Sequence, residues 1–160
     1  MAEKPLVLLI DDDRSVVMNW YERVLNRHFS VTRITSPDEA LGFIRANATS
    51  IRAVVLDVMM SHGSAFTDKE TEEGLQTGIA LYERIQPILG ATPVVILTNL
   101  NRTWVAERVK QLPEGQILRK AEYNPTELAK RLEALVSAAD NFVQPYRPPP
   151  GAAPKRNEPY

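Results

Sequence analysis

Aspartates at 11, 12 and 13, another at 57, a threonine at 98 and a lysine at 120 each follow a strand-like run: "LVLLI", "AVVL", "VVIL" and "ILR". If those runs are parallel strands, their carboxyl ends bring Asp11, Asp12, Asp13, Asp57, Thr98 and Lys120 to one rim. Two carboxylates about 4 Å apart cost roughly 4 kcal/mol at an effective dielectric near 20, so such a rim needs a cation. The donors are oxygens and the chain has no cysteine, which suits a hard ion that keeps its waters, such as Mg²⁺, better than zinc. A carboxylate there could attack a phosphoryl group in line while Lys120 and the Thr98 hydroxyl take other phosphoryl oxygens.

Singly, each residue has a plainer use. Asp11 to Asp13 could be turn and helix-capping residues, Asp57 a strand-end turn residue, Thr98 a β-former and Lys120 a solvated charge. Their coincidence at four strand ends outweighs those separate readings.

The elements that must position them alternate. "PLVLLI" precedes a helical "SVVMNWYERVLN", in which Val17, Trp20, Tyr21, Val24 and Leu25 form the apolar stripe. After a short "VTRIT", the next helix starts with Ser36 as cap, Pro37 in the first turn and Glu39 three residues past the cap. "AVVLD" is followed by a polar stretch and the helix "TGIALYERIQPIL"; "TPVVILTN" by the helix "TWVAERVKQL"; and "GQILRK" by a helix capped at Asn124 with Pro125 and Glu127 behind it. Such alternation predicts an α/β fold, a doubly wound five-stranded parallel sheet of order 2-1-3-4-5. Helices cover both faces, and the ligand site lies at the strand carboxyl ends.

With 160 residues and a net charge of −1, the chain suits one domain and carries no field that favours nucleic acid or anionic lipid. The apolar run near the N-terminus is too short for a membrane span, and a cytoplasmic protein is expected. The domain is placed at residues 1–138, with 61–77 as an inserted polar loop. The remainder, 139–160, holds six of the twelve prolines and is expected to be extended or disordered.

"LLIDDD", "VVLDVMM", "VVILTN" and "ILRK", in this order and strand context, resemble the receiver domains of two-component response regulators, which have the flavodoxin-like fold. The likeness runs from about Pro5 to Ala138. It implies that Asp57 accepts a phosphoryl group from a sensor histidine kinase or histidine phosphotransfer protein. It further implies that Asp12 and Asp57 bind Mg²⁺ directly, that Asp11 acts through water and that Met59 supplies a backbone carbonyl. Thr98 and Lys120 would contact the phosphoryl group, and Asp13 would turn into the helix N-terminus.

Several positions depart from that pattern. Ser61 and Ala121 replace prolines usual in the family, and Ile117 stands where a switch aromatic is expected, which predicts a weaker or rerouted response. Asn99 is bulkier than the residue usual after the threonine. Apolar Met59 and Leu100 beside the site predict slow loss of the phosphoryl group.

The resulting expectation is a stand-alone receiver, not an enzyme acting on a free substrate, with an unknown downstream protein and no direct DNA or membrane binding; a homodimer is left open. A phosphorylation-independent interaction module of the same fold is the competing reading. A haloacid-dehalogenase-type phosphatase is disfavoured because Met59 stands where such enzymes need a second aspartate. "TDKETEEG" reads as a solvated acidic loop, with a partner-selecting lid as its functional alternative; His62 is a loop histidine of no assigned role. Trp104, Val105 and Val109 read as a core stripe, and "RPPPGAAPKR" as a passive terminus or proline-motif docking segment.

Overall fold

The computed structural model describes residues 3–109 and 111–141. Its five strands are β1 (Leu6–Ile10), β2 (Ser30–Ile34), β3 (Ile51–Leu56), β4 (Val94–Thr98) and β5 (Ile117–Arg119). They form one all-parallel sheet in the order β2-β1-β3-β4-β5, as the alternation predicts.

Side chains alternate across the sheet, so apolar residues at consecutive positions serve both faces. Leu8, Ile10, Val54, Leu56 and Ile96 pack toward one layer, which contains α2 (Pro37–Asn47), α4 (Thr77–Leu89) and α5 (Arg102–Arg108). Val7, Leu9, Val55, Leu97 and Leu118 pack toward the other, formed by α1 (Val16–Leu25) and α6 (Pro125–Asn141).

Two helix starts follow the expected chemistry. Ser36 Oγ accepts the Glu39 N–H at 3.2 Å. Asn124 Oδ1 accepts the Glu127 N–H at 2.9 Å, and its amide donates to the Glu127 carboxylate at 2.8 Å. Each cap satisfies an N–H that the helix cannot pair internally.

Four expectations need correction. In α1 the buried stripe is Met18, Tyr21, Val24 and Leu25, whereas Val17 is 52% exposed and Trp20 50% exposed; both stripes have helical spacing, and the sheet selects the first. α5 ends at Arg108 because Val109 leaves helical geometry (φ −116, ψ 66), which delivers Val109 and Leu112 to the core. The polar stretch 61–77 contains a further helix, α3 (Asp68–Thr71). Finally, α6 continues to Asn141, past residue 138. The remainder of the proline-rich segment, 142–160, lies outside the described residues. No helix among the described residues is long and apolar enough to cross a membrane.

Candidate functional site

The rim is built by strands that continue their hydrogen bonding one residue beyond their ends. The Asp11 N–H donates to the Ile34 carbonyl at 3.0 Å, the Asp57 N–H to the Ile10 carbonyl at 3.0 Å, and the Lys120 N–H to the Thr98 carbonyl at 2.9 Å. Backbone registry thus places Asp11, Asp57, Thr98 and Lys120 together.

Lys120 Nζ sits between two carboxylates, 2.8 Å from Asp11 Oδ2 and 3.2 Å from Asp57 Oδ2. Asp11 is 2% exposed and Asp57 is 8% exposed, so this is a buried charge cluster held together by its cation. The remaining oxygens also have partners: Asp11 Oδ1 accepts the Asp13 N–H at 2.9 Å, and Asp57 Oδ1 accepts the Val58 N–H at 2.7 Å. Burial, with the Asp11 charge adding to it, pushes the Asp57 pKa up to about 6 against the pull of Lys120. For Lys120, burial alone would lower the pKa; the Asp57 charge and the Asp11 hydrogen bond reverse this, and the net shift is upward.

The other expected residues are arranged around this cluster. Thr98, buried at the end of β4, accepts the Leu100 N–H on its hydroxyl at 3.2 Å. Asp12 is exposed, and its Oδ2 accepts the Ser61 N–H at 3.1 Å. Asp13 lies two residues before the α1 N-cap, Ser15, and accepts the Ser15 N–H at 2.8 Å and the Ser15 hydroxyl at 3.0 Å; the Ser15 N–H is the principal cause of its lowered pKa. Met59 is 49% exposed. Ile117 is fully buried, Asn99 faces solvent, and no peptide bond among the described residues is cis, including the one before Ala121.

Two adjoining residues carry structural roles that their types alone did not reveal. A Cβ on Gly78 would lie 2.0 Å from the Asp57 carbonyl oxygen and 2.6 Å from Val58 Cα. The Gly78 N–H donates to the Val58 carbonyl at 2.8 Å, so glycine lets α4 rest directly on the loop carrying Asp57. Beside it, the buried Thr77 hydroxyl donates to the Met60 carbonyl at 2.6 Å. Their only signal in the sequence is a Thr-Gly pair opening an apolar helix.

The inserted segment is held by side-chain contacts, while the acids of "TDKETEEG" stay exposed. Asp38 of α2 accepts the N–H groups of Ser64 and Ala65 at 2.8 and 2.5 Å. His62 bridges the Gly63 carbonyl and Asp68, each at 2.7 Å; the Gly63 contact and then Asp68 raise its pKa. Phe66 is buried beneath the Arg84 guanidinium, 4.7 Å from the ring centre. A reciprocal box between Thr67 and Glu70 starts α3.

The donor set around Asp57 is compatible with Mg²⁺. It contains the carboxylate oxygens of Asp11, Asp12 and Asp57, of which Asp12 is exposed. Among the described residues no group of three or more His, Cys, Asp or Glu is placed to hold a metal.

No protein-family model matches the sequence, and no curated protein matches it. Solved structures do match. The receiver domain of a Francisella response regulator is 25% identical, with a TM-score of 0.63, over 84% of this chain and 98% of that one. A response regulator receiver domain protein from Clostridium thermocellum is 20% identical, with a TM-score of 0.66, over 84% and 96%. A response regulator from Thermotoga maritima is 19% identical, with a TM-score of 0.60, over 84% and 98%. With its strand order, the chain has the fold of the response-regulator receiver domains.

Proposed function

We propose that the chain is a phosphorelay receiver that accepts a phosphoryl group on Asp57 and signals by protein contact. The observation that carries this reading is the Lys120 ammonium between Asp11 and Asp57, at 2.8 and 3.2 Å, with Thr98 ending the adjoining strand. A phosphohistidine on a sensor kinase or phosphotransfer protein is the donor. An oxygen of Asp57 attacks phosphorus in line, the P–N bond breaks, the imidazole leaves and an acyl phosphate forms.

Lys120 then moves from pairing carboxylates to pairing a phosphoryl oxygen, and the Thr98 hydroxyl donates to another. Asp12, Asp57 and the Met59 carbonyl are the oxygens that would hold Mg²⁺, with Asp11 acting through water. When bound, the ion neutralises phosphoryl charge. The chain accepts a group instead of turning over a free ester; Met59 leaves no carboxylate two residues beyond Asp57 for that work.

One observation favours the phosphorylation-independent interaction module. Ser61 presents an N–H that a proline would lack, and that N–H engages Asp12, a candidate Mg²⁺ ligand. The two readings separate with beryllofluoride, which completes its tetrahedron with a carboxylate oxygen. In ¹⁹F spectra with Mg²⁺, the receiver reading predicts bound resonances that vanish in Asp57→Asn and on chelation. Free fluoride species alone would favour the interaction module.

A further inference from the structure

The inserted segment forms one side of a groove that shares Asp12 and Met59 with the candidate Mg²⁺ site and is otherwise lined by residues the chemistry at Asp57 does not use. Its two lobes meet at Leu75. One, of about 570 Å³, runs from Asp12 and Met59 past Glu72 and Glu73. The other, of about 520 Å³, lies between Leu75, Leu100 and Trp104, with Glu107 among its lining residues. Met59 and Leu75, 49% and 38% exposed, are among the few large apolar residues this open to solvent. A single exposed leucine needs no explanation, but a methionine, two leucines and an indole from separate segments give the two lobes apolar lining on either side of Leu75.

The ionisable groups lining the groove are all acidic. Asp12, Glu72, Glu73 and Glu107 contribute, and among the described residues no lysine or arginine lines either lobe, although the whole chain is nearly neutral at −1. Two α5 cations border the groove: Arg108 stacks on the Trp104 ring at 3.7 Å and donates to the Trp104 carbonyl at 2.9 Å, and Arg102 lines an adjacent hollow that shares Thr103 and Glu107 with it.

The turn that builds this wall is held in an unfavourable conformation. Glu72 and Glu73 have φ of 48° and 58°, a left-handed region that is unfavourable for a non-glycine residue. The Glu73 N–H donates to the Asp68 carbonyl at 2.9 Å, the Gln76 N–H to the Thr71 carbonyl at 2.8 Å, and the Met60 N–H to the Gly74 carbonyl at 3.3 Å. These bonds fix the turn that brings both glutamates and Leu75 to the groove.

We infer that this groove docks a short amphipathic segment of a partner protein, with apolar side chains on Met59, Leu75 and Trp104 and lysines or arginines facing Glu72, Glu73 and Glu107. Charge complementarity sets the sign of the partner, and the apolar floor supplies the contact area. The docking goes beyond the phosphoacceptor reading and does not depend on it.

A phage-displayed random peptide library selected on the full chain tests this. Enriched peptides should combine apolar residues at regular spacing with a net positive charge. They should bind Leu75→Asp and Glu107→Lys about tenfold more weakly, a factor within reach of one lost apolar anchor or one reversed charge. The two residues lie on separate elements, and Glu107→Lys, at an exposed helix position, carries the test if Leu75→Asp folds poorly. Enrichment of acidic or purely apolar peptides, equal binding by Glu107→Lys, or no enrichment would overturn the proposal. So would a dimer in sedimentation that Leu75→Asp dissolves, which would make a second copy the occupant. Enrichment only on a chain carrying Lys155→Glu and Arg156→Glu would assign the groove to the chain's own basic terminus and also overturn it.

Discussion

Two acidic regions lie side by side in this molecule and treat charge in opposite ways. At the strand ends, Asp11 and Asp57 are buried, and the Lys120 ammonium is held between them. In and around the inserted segment, Asp38, Asp68 and Glu70 remain exposed and bind local N–H groups or side chains. Burial couples the first set tightly, because removing water raises the energy of the charged form and strengthens every local interaction. Exposure makes the second set architectural, and its charges are screened.

The comparison predicts that perturbing the buried set has large effects and perturbing the exposed set small ones. The largest belongs to the glycine beneath the rim. Gly78→Ala would force α4 off the Asp57 loop, since its Cβ would meet backbone at 2.0 Å. It should cost about 3 to 5 kcal/mol in denaturant unfolding, and a loss below about 1 kcal/mol would mean that the helix is not seated there.

Lys120→Met comes next. It leaves two buried carboxylates without their cation and should cost about 3 kcal/mol at pH 8 in the presence of a chelator, with much of the loss recovered in acid as the carboxylates protonate. An equal loss at pH 4 and pH 8 would contradict the electrostatic origin.

Asp57→Asn should act in the opposite direction. Because the folded pKa of Asp57 lies at about 6, above its ordinary 3.8, the folded state holds the proton more tightly than the unfolded state. Its stability contribution is full below 3.8 and is lost as pH rises through about 6. In chelator, the substitution should therefore stabilise the fold at pH 7.5 by on the order of 1 to 3 kcal/mol, with the gain fading in acid. Destabilisation at pH 7.5 would break the comparison at its buried end.

The smallest effect belongs to the exposed set. Asp68→Asn should lower the His62 pKa toward its ordinary 6.5, read by NMR titration, with little change in melting. The raised pKa means that the contribution of His62 to segment order is complete below 6.5 and is lost as pH rises through the raised value. Amide exchange at Ser64 and Ala65 should accordingly quicken in mild base. A large melting change would show that the exposed contacts support the whole fold.

The rim was legible in the sequence because each of its residues follows a strand and parallel registry converts that position into proximity. The inserted segment was less legible because its order comes from particular pairs: Asp38 with the Ser64 and Ala65 amides, His62 with Asp68, and Phe66 under Arg84. None leaves a period. Trp20 lies off the buried side of α1 because two stripes of that helix share the same spacing, and only the sheet beneath distinguishes them. Asp12 shows a third limit: its type and place were readable, but its bond to the Ser61 N–H depends on the backbone path into the insertion.

The most direct test of the receiver reading is the intact mass of the chain after incubation with Mg²⁺ and either acetyl phosphate or a phosphorylated histidine protein, for wild type and Asp57→Asn. One phosphoryl adduct on the wild type and none on the variant is the predicted result. An unmodified wild type with both donors, or an adduct that survives in Asp57→Asn, would contradict phosphoryl transfer to Asp57.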